Sequence, residues 1–238
     1  MGALSGLRVI ECGDFVAAPF AASLLGHLGA DVVKVEPAAG DSNRLRGPFA
    51  GGAENRETGA LHLFLDQAKR SVVLDLESAD GRTALMRIAA GADALLASGT
   101  PETLRRRGLT CAELTEANPA LVVTSITPFG LDAERSVPAM RELCDLAASG
   151  WLNISPGALE DATLPPLKPF GQQAHFQAGL HAAMTTLAAL REAEASGLGQ
   201  QIDISVQAAV ASQIEIALSH YIYGKRVASR LGSRMLGA

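Results

Sequence analysis

The side chain best placed for chemistry is His175, which stands with Gln172, Gln173 and Gln177 where a helical pattern begins after Pro165, Pro166 and Pro169. Polar groups at a helix start meet unpaired backbone N–H groups and the positive end of the helix dipole. That field favours a neutral imidazole, suited to general acid–base work or to transient acyl transfer. His27, His62, His181 and His220 are scattered, and the step from His175 to His181 does not keep to one helical face, so the spacing is not that of a metal site. Cys12, Cys111 and Cys144 include no C-x-x-C pair, which argues against zinc or a disulfide framework and for a reduced, cytoplasmic setting. The basic run Arg105 to Arg107 is either a solvated helix end or an anion site.

The elements that must position these groups follow from periodicity. Phe176, Leu180, Ala183, Leu187 and Leu190 recur at three- and four-residue steps, which predicts a helix with one buried stripe, closed by Gly197 and Gly199 before the alternating strand Ile202 to Val206. Upstream, Leu7 to Glu11 and Asp31 to Glu36 read as strands around a helix from Pro19 to Leu28. That is a right-handed βαβ unit. Further strands are expected at Lys69 to Leu76, Ala94 to Ala97 and Leu121 to Ile126, with helices at Asp80 to Ala90, Thr103 to Arg107 and Thr110 to Ala117. Together they give an α/β fold with an open, mostly parallel sheet and helices on both faces.

The loop Cys12 to Ala18 lies at the carboxyl end of the first strand, where such sheets bind ligands. It has neither G-x-G-x-x-G nor the Lys of a nucleotide P-loop. It is therefore an ordinary connection or a backbone surface for a flat or chain-like ligand. Pro37 to Gly59 is a long excursion rich in Gly, Pro, Asn and Arg, a length that is often functional. Gln207 to Tyr223 reads as one apolar helix and Lys225 to Ala238 as a basic tail.

At 238 residues, 48% hydrophobic and 19% charged, the chain can bury a full core as one large domain or a domain with an extension. A net charge of −5 argues against nucleic acid as a partner. No apolar run reaches the roughly 18 residues that span a bilayer, so no membrane partner is expected.

Several blocks then occur in a telling order: L-S-G-L-R-V-I-E, A-P-F-A-A-S-L-L-G-H-L-G-A-D-V-V-K-V-E-P-A-A-G-D, K-R-S-V-V-L-D-L, G-A-D-A-L-L-A-S, N-P-A-L-V-V-T-S-I and G-L-G-Q-Q-I-D-I-S-V. Each is weak alone, but the series, spread over essentially the whole chain, resembles the class III (CaiB/BaiF-type) CoA-transferases, with methylacyl-CoA racemases as relatives. The resemblance implies a Rossmann-like large domain over 1–206, then a helix and linker over 207–238 leading toward a small domain absent from this chain. It also implies an interlocked dimer, or pairing with a homologous domain. Acyl-CoA and a carboxylic acid would be the substrates, with no permanently bound cofactor. CoA would lie along Phe15, Val16 and Ala17, with adenine and phosphate contacts at Leu74 and Arg106.

Departures from the family pattern are equally specific. Pro37 and Glu77 stand where basic residues are usual, and Ser98-Gly99 where Asn and an aromatic are usual. His175 holds the place of the Asp whose carboxylate forms a mixed anhydride, then carries CoA as an acyl thioester and passes it to the acceptor acid. Imidazole has no acyl carbon to hold the CoA sulfur. The segment Ala139 to Cys144, matching the racemases' His, contains none. Three readings stay open: a CoA-binding family member with altered transfer, a non-catalytic half pairing with an Asp-bearing chain or domain, and an acyl-CoA hydrolase or lyase using His175 as base.

Overall fold

The computed structural model describes residues 2–133, 142–155 and 164–228. The chain runs β1 (Arg8–Cys12), α1 (Ala17–His27), β2 (Asp31–Glu36), a 3-10 turn (Ser42–Leu45), α2 (Ala60–Leu65), β3 (Lys69–Val73), α3 (Ala79–Ala89), β4 (Ala94–Ser98), α4 (Pro101–Arg106) and α5 (Cys111–Ala117). It continues with β5 (Val122–Thr127), α6 (Glu142–Ala148), α7 (Trp151–Ile154), α8 (Gln173–Ser196), β6 (Gln201–Ser205), α9 (Val206–Ala211), a 3-10 turn (Ser212–Ile214) and α10 (Glu215–Gly224).

Among the described residues the strands form one sheet in the order β3-β2-β1-β4-β5-β6, parallel at every pairing. The order reverses direction between β1 and β4, and ligands of open α/β sheets collect outside the carboxyl ends at such a point. β4 and β5 are buried at every position, as central parallel strands covered on both faces must be.

The two faces are packed differently. Ile10, Leu95 and Val123 turn to one face, where Leu85, Leu104, Leu109 and Leu114 from the α3–α5 region cover them. Val9, Val32, Leu96 and Val122 turn to the other, against α1, α8 and α9. There the contacts are mostly alanines: Ala17, Ala18, Ala21 and Ala22 from α1, and Ala174, Ala178, Ala182 and Ala189 from α8.

That packing corrects the expected stripe on α8 in part: Ala183 is buried and Leu187 and Leu190 pack against the same core, but Leu180 does not. Leu180 is 41% exposed and Met184 52% exposed, while the buried line runs through Ala174, Ala178, Ala182, Thr186 and Ala189. The cause is how close α1 comes: a Cβ on Gly179 would lie 2.6 Å from the Ala17 carbonyl oxygen, so only small residues fit this side. A second correction concerns the expected single helix from Gln207 to Tyr223. Ser212 Oγ bonds back to the Ala209 carbonyl at 2.8 Å, and the chain tightens into a 3-10 turn between α9 and α10.

Candidate functional site

His175 lies in the first turn of α8 and is 1% exposed. Its Nε2 is 3.3 Å from Asp145 Oδ2, an ion-pair distance whose angles do not make a hydrogen bond. Asp145 belongs to α6, as does Glu142 one helical turn earlier; the i, i+3 spacing puts both carboxylates on the face turned to α8, and both are buried. Glu142 Oε1 accepts the Ala174 N–H at 2.9 Å and so caps α8 from a neighbouring helix, since Gln172 supplies no side-chain cap. An anion there also suits the helix dipole.

The rest of this cluster is unusually bare. Among the described residues both His175 ring nitrogens, Asp145 Oδ2, Glu142 Oε2 and Gln172 Oε1 are buried without a hydrogen-bond partner. Buried polar atoms are normally satisfied, and exceptions concentrate where a structure is built for something else.

Phe15 joins the β1 loop to this cluster. Its ring meets the His175 ring edge-on, with centroids 5.0 Å apart, and the Arg46 guanidinium lies 4.6 Å from its centroid on the other contact. Its backbone sits at φ 67°, a left-handed conformation that disfavours a side chain by about 1–2 kcal/mol. Asn43 Nδ2 donates to the Phe15 carbonyl, and Asp14 Oδ1 accepts the Ser42 N–H at 3.1 Å, so the 3-10 turn after β2 holds the strained residue in place.

A network of buried charges anchors that turn. Lys34, 1% exposed, stands 2.6 Å from Glu11, 2.6 Å from Asp41 and 3.3 Å from Asp66. Lys69 bridges Glu11 and Asp66 at 2.6 and 3.0 Å and donates to the Pro19 carbonyl at 2.8 Å. Burial alone would lower Lys34, but Glu11, Asp41 and Asp66 outweigh it and hold the ammonium charged well above the ordinary lysine range. Burial pushes Asp41 up to about 6 against the pull of Lys34. Glu36 goes the other way: despite its burial, hydrogen bonds from Arg44 and Ser71 bring it down to about 2.

A cavity of about 220 Å³ opens at the carboxyl ends of β1, β2 and β3, between Cys12–Asp14, Glu36, Leu74, Leu76, Glu77 and Arg107. The β1 loop thus borders the cavity through Gly13 and Asp14 and touches His175 through Phe15. Gly13 is required here, because a Cβ would lie 2.4 Å from that of Ala18. Burial, then the Glu11 charge, drive the Cys12 thiol far above the usual range, which disfavours the nucleophilic thiolate.

The positions expected from sequence separate into two groups. His175 and Phe15 meet, and Leu74 lines the cavity, but Val16 and Ala17 are fully buried and do not line it. Arg106 does not line the cavity; its neighbour Arg107 does, and both bind Glu77. Sequence reasoning missed Asp145, Glu142, Asn43 and Arg46. For the first two, the i, i+3 pair of acids was the available signal. Ala139 to Arg141 of the segment compared with the racemases lie outside the described residues, while Glu142 to Cys144 open α6.

An all-parallel α/β sheet with helices on both faces places the fold in the doubly wound class. The chain belongs to CoA-transferase family III, whose pattern matches residues 4–238. It is 33% identical over 226 residues to the succinyl-CoA–L-malate CoA-transferase alpha subunit of Chloroflexus aurantiacus, covering 93% of this chain and 51% of that protein. With the succinate–glutarate CoA-transferase of Agrobacterium fabrum it shares 32% identity over 236 residues, 97% of this chain and 57% of that one. A CaiB/BaiF family protein from Brucella suis superposes with a TM-score of 0.86 at 26% identity, over 97% of this chain and 60% of its own. The chain spans about half the length of the curated relatives it matches. No helix among the described residues is long and apolar enough to cross a membrane.

Proposed function

We propose that this chain is the CoA-thioester-binding half of an acyl-CoA-acting protein, and that the His175–Asp145 pair gives it proton-transfer chemistry in place of covalent CoA carriage. The observation that carries this reading is the pair itself: a buried imidazole with unpartnered nitrogens and a carboxylate 3.3 Å away. A carboxylate at this distance stabilises the imidazolium that forms when the ring takes a proton. The simplest reaction of this kind is hydrolysis. His175 takes a proton from water, the water oxygen bonds to the thioester carbon, the C–S bond breaks, and the proton passes to the CoA sulfur. The nucleotide end of CoA belongs in the cavity beside Leu74 and Leu76, with the chain of the ligand running along the β1 loop toward Phe15.

Mass spectrometry of the purified protein with acyl-CoA tests this reading. Acyl-CoA is consumed with no CoA adduct on the chain, and His175→Ala lowers consumption by about 10²–10⁴-fold, the usual contribution of a general base. A CoA adduct on the unaltered chain, or undiminished consumption by His175→Ala, would contradict it.

A second reading has one specific support: the Chloroflexus relative is an alpha subunit, and this chain spans only about half of it. The chain would then be a CoA-binding half beside a carboxylate-bearing partner. In the same experiment on the assembled complex, the adduct would appear on the partner chain.

A further inference from the structure

Glu77 lines the cavity at the carboxyl ends of β1–β3, beside two arginines. Resting on the reading that this cavity takes the nucleotide end of CoA, we infer that Glu77 is a built-in competitor for the guanidiniums nearest it, so that the 3′-phosphate of CoA adds nothing to binding and a CoA thioester lacking it is accepted equally well.

Arg106 reaches Glu77 through Nε at 2.7 Å and through Nη2 at 3.3 Å, the forked contact a guanidinium makes with a bidentate anion. Arg107, which lines the cavity, reaches the same carboxylate through Nε at 2.9 Å. The hydrogen bonds from Arg106, then Arg107, hold Glu77 down to about 2, so it stays an anion throughout the neutral range. Arg82 turns its guanidinium to the Leu76 and Glu77 carbonyls, at 3.2 and 3.1 Å.

Two cations that do not line the cavity but bond to its lining acids are also engaged. Lys34 is held by Glu11, Asp41 and Asp66, and Arg44 by Glu36 and Glu57. Asp14, Glu36 and Asp41 are meanwhile among the lining residues. A phosphate dianion would therefore have to displace Glu77 and lie among acids, whereas ribose hydroxyls can donate to those acids and adenine can lie on Leu74 and Leu76. Glu77 is on the surface, where water and salt screen its pairing, so the penalty on a competing anion is modest.

Calorimetric titration with CoA and with dephospho-CoA, at one ionic strength, tests the assignment. The unaltered protein binds the two within about twofold, and Glu77→Gln tightens CoA by about fivefold, the equivalent of an exposed ion pair, while leaving dephospho-CoA unchanged. Glu77→Asp, which keeps the charge, retains the original ratio. A clear preference of the unaltered protein for CoA, or a ratio that Glu77→Gln does not move, would overturn the inference while leaving the cavity as the CoA site. Binding of neither ligand would overturn the reading of the cavity and this inference with it.

Discussion

Two buried polar clusters lie along the α1 face of the sheet, and they are built in opposite ways. Around Lys34, the charges are paired at short range: two lysines face Glu11, Asp41 and Asp66, and His62 Nδ1 lies 2.8 Å from Asp66, although Asp41 Oδ2, Ser42 Oγ and Asn43 Oδ1 make no hydrogen bond. Around His175, the polar atoms are present but mostly unpartnered, with a single N–H to Glu142 and one long approach to Asp145. A charge-paired network specifies structure, and here it anchors the Asp41–Leu45 turn that props Phe15. An unsatisfied one costs stability and persists where a ligand or reaction needs it. The contrast separates the support from the candidate site.

Breaking the support should have the largest effect. Lys34→Met leaves three buried carboxylates facing one remaining lysine, and removing one partner of a buried ion pair typically costs about 3–5 kcal/mol. Denaturant unfolding measures that loss directly.

The same treatment of the site should act in the opposite direction. Replacing the pair together, Asp145→Val with His175→Leu, removes the unpartnered atoms of Asp145 and His175, and such replacements are neutral or stabilising by about 1–4 kcal/mol. Unfolding midpoints should stay level or rise while acyl-CoA consumption disappears. A loss of stability comparable to that of Lys34→Met would erase the distinction between the clusters.

Acidification sharpens the comparison with a smaller effect. Glu36 is lowered from 4.5 to about 2, so its contribution is complete above pH 4.5 and disappears as the pH falls toward 2. Asp41 is raised from 3.8 to about 6, so its contribution is complete below pH 3.8 and is lost as the pH rises through 6. Melting temperatures should therefore improve slightly from pH 7 to 4.5 and fall below that. Asp41→Asn flattens the first limb and Glu36→Gln the second. Neither variant should alter the slope if the loop is held by something else.

Much of this arrangement was legible in the sequence because buried parallel strands must be short apolar runs. Asp31 to Glu36 is found as expected, and the other strands differ by a few residues at their ends. Lys69 to Leu76 is shorter, since β3 stops at Val73. The packing side of α8 was legible only in part, at Ala183, Leu187 and Leu190, because apolar periodicity ranks residues by hydrophobicity while the close approach of α1 selects them by size. Leu180 and Met184 point out, and alanines point in. The place of His175 in the first turn of a helix was legible in the sequence. Asp145 was not, since thirty positions of chain separate the two and only the packing of α6 on α8 brings them together.

If His175 moves protons and does not carry CoA, the mass of the chain after turnover must show it. Intact-mass analysis of the protein after incubation with acyl-CoA, beside the His175→Asp variant, is the most direct measurement. The expected result is an unmodified mass for the natural chain while acyl-CoA is consumed, and a CoA adduct on the variant, whose new carboxylate supplies the acyl carbon that imidazole lacks. A CoA adduct on the natural chain would contradict proton transfer by His175.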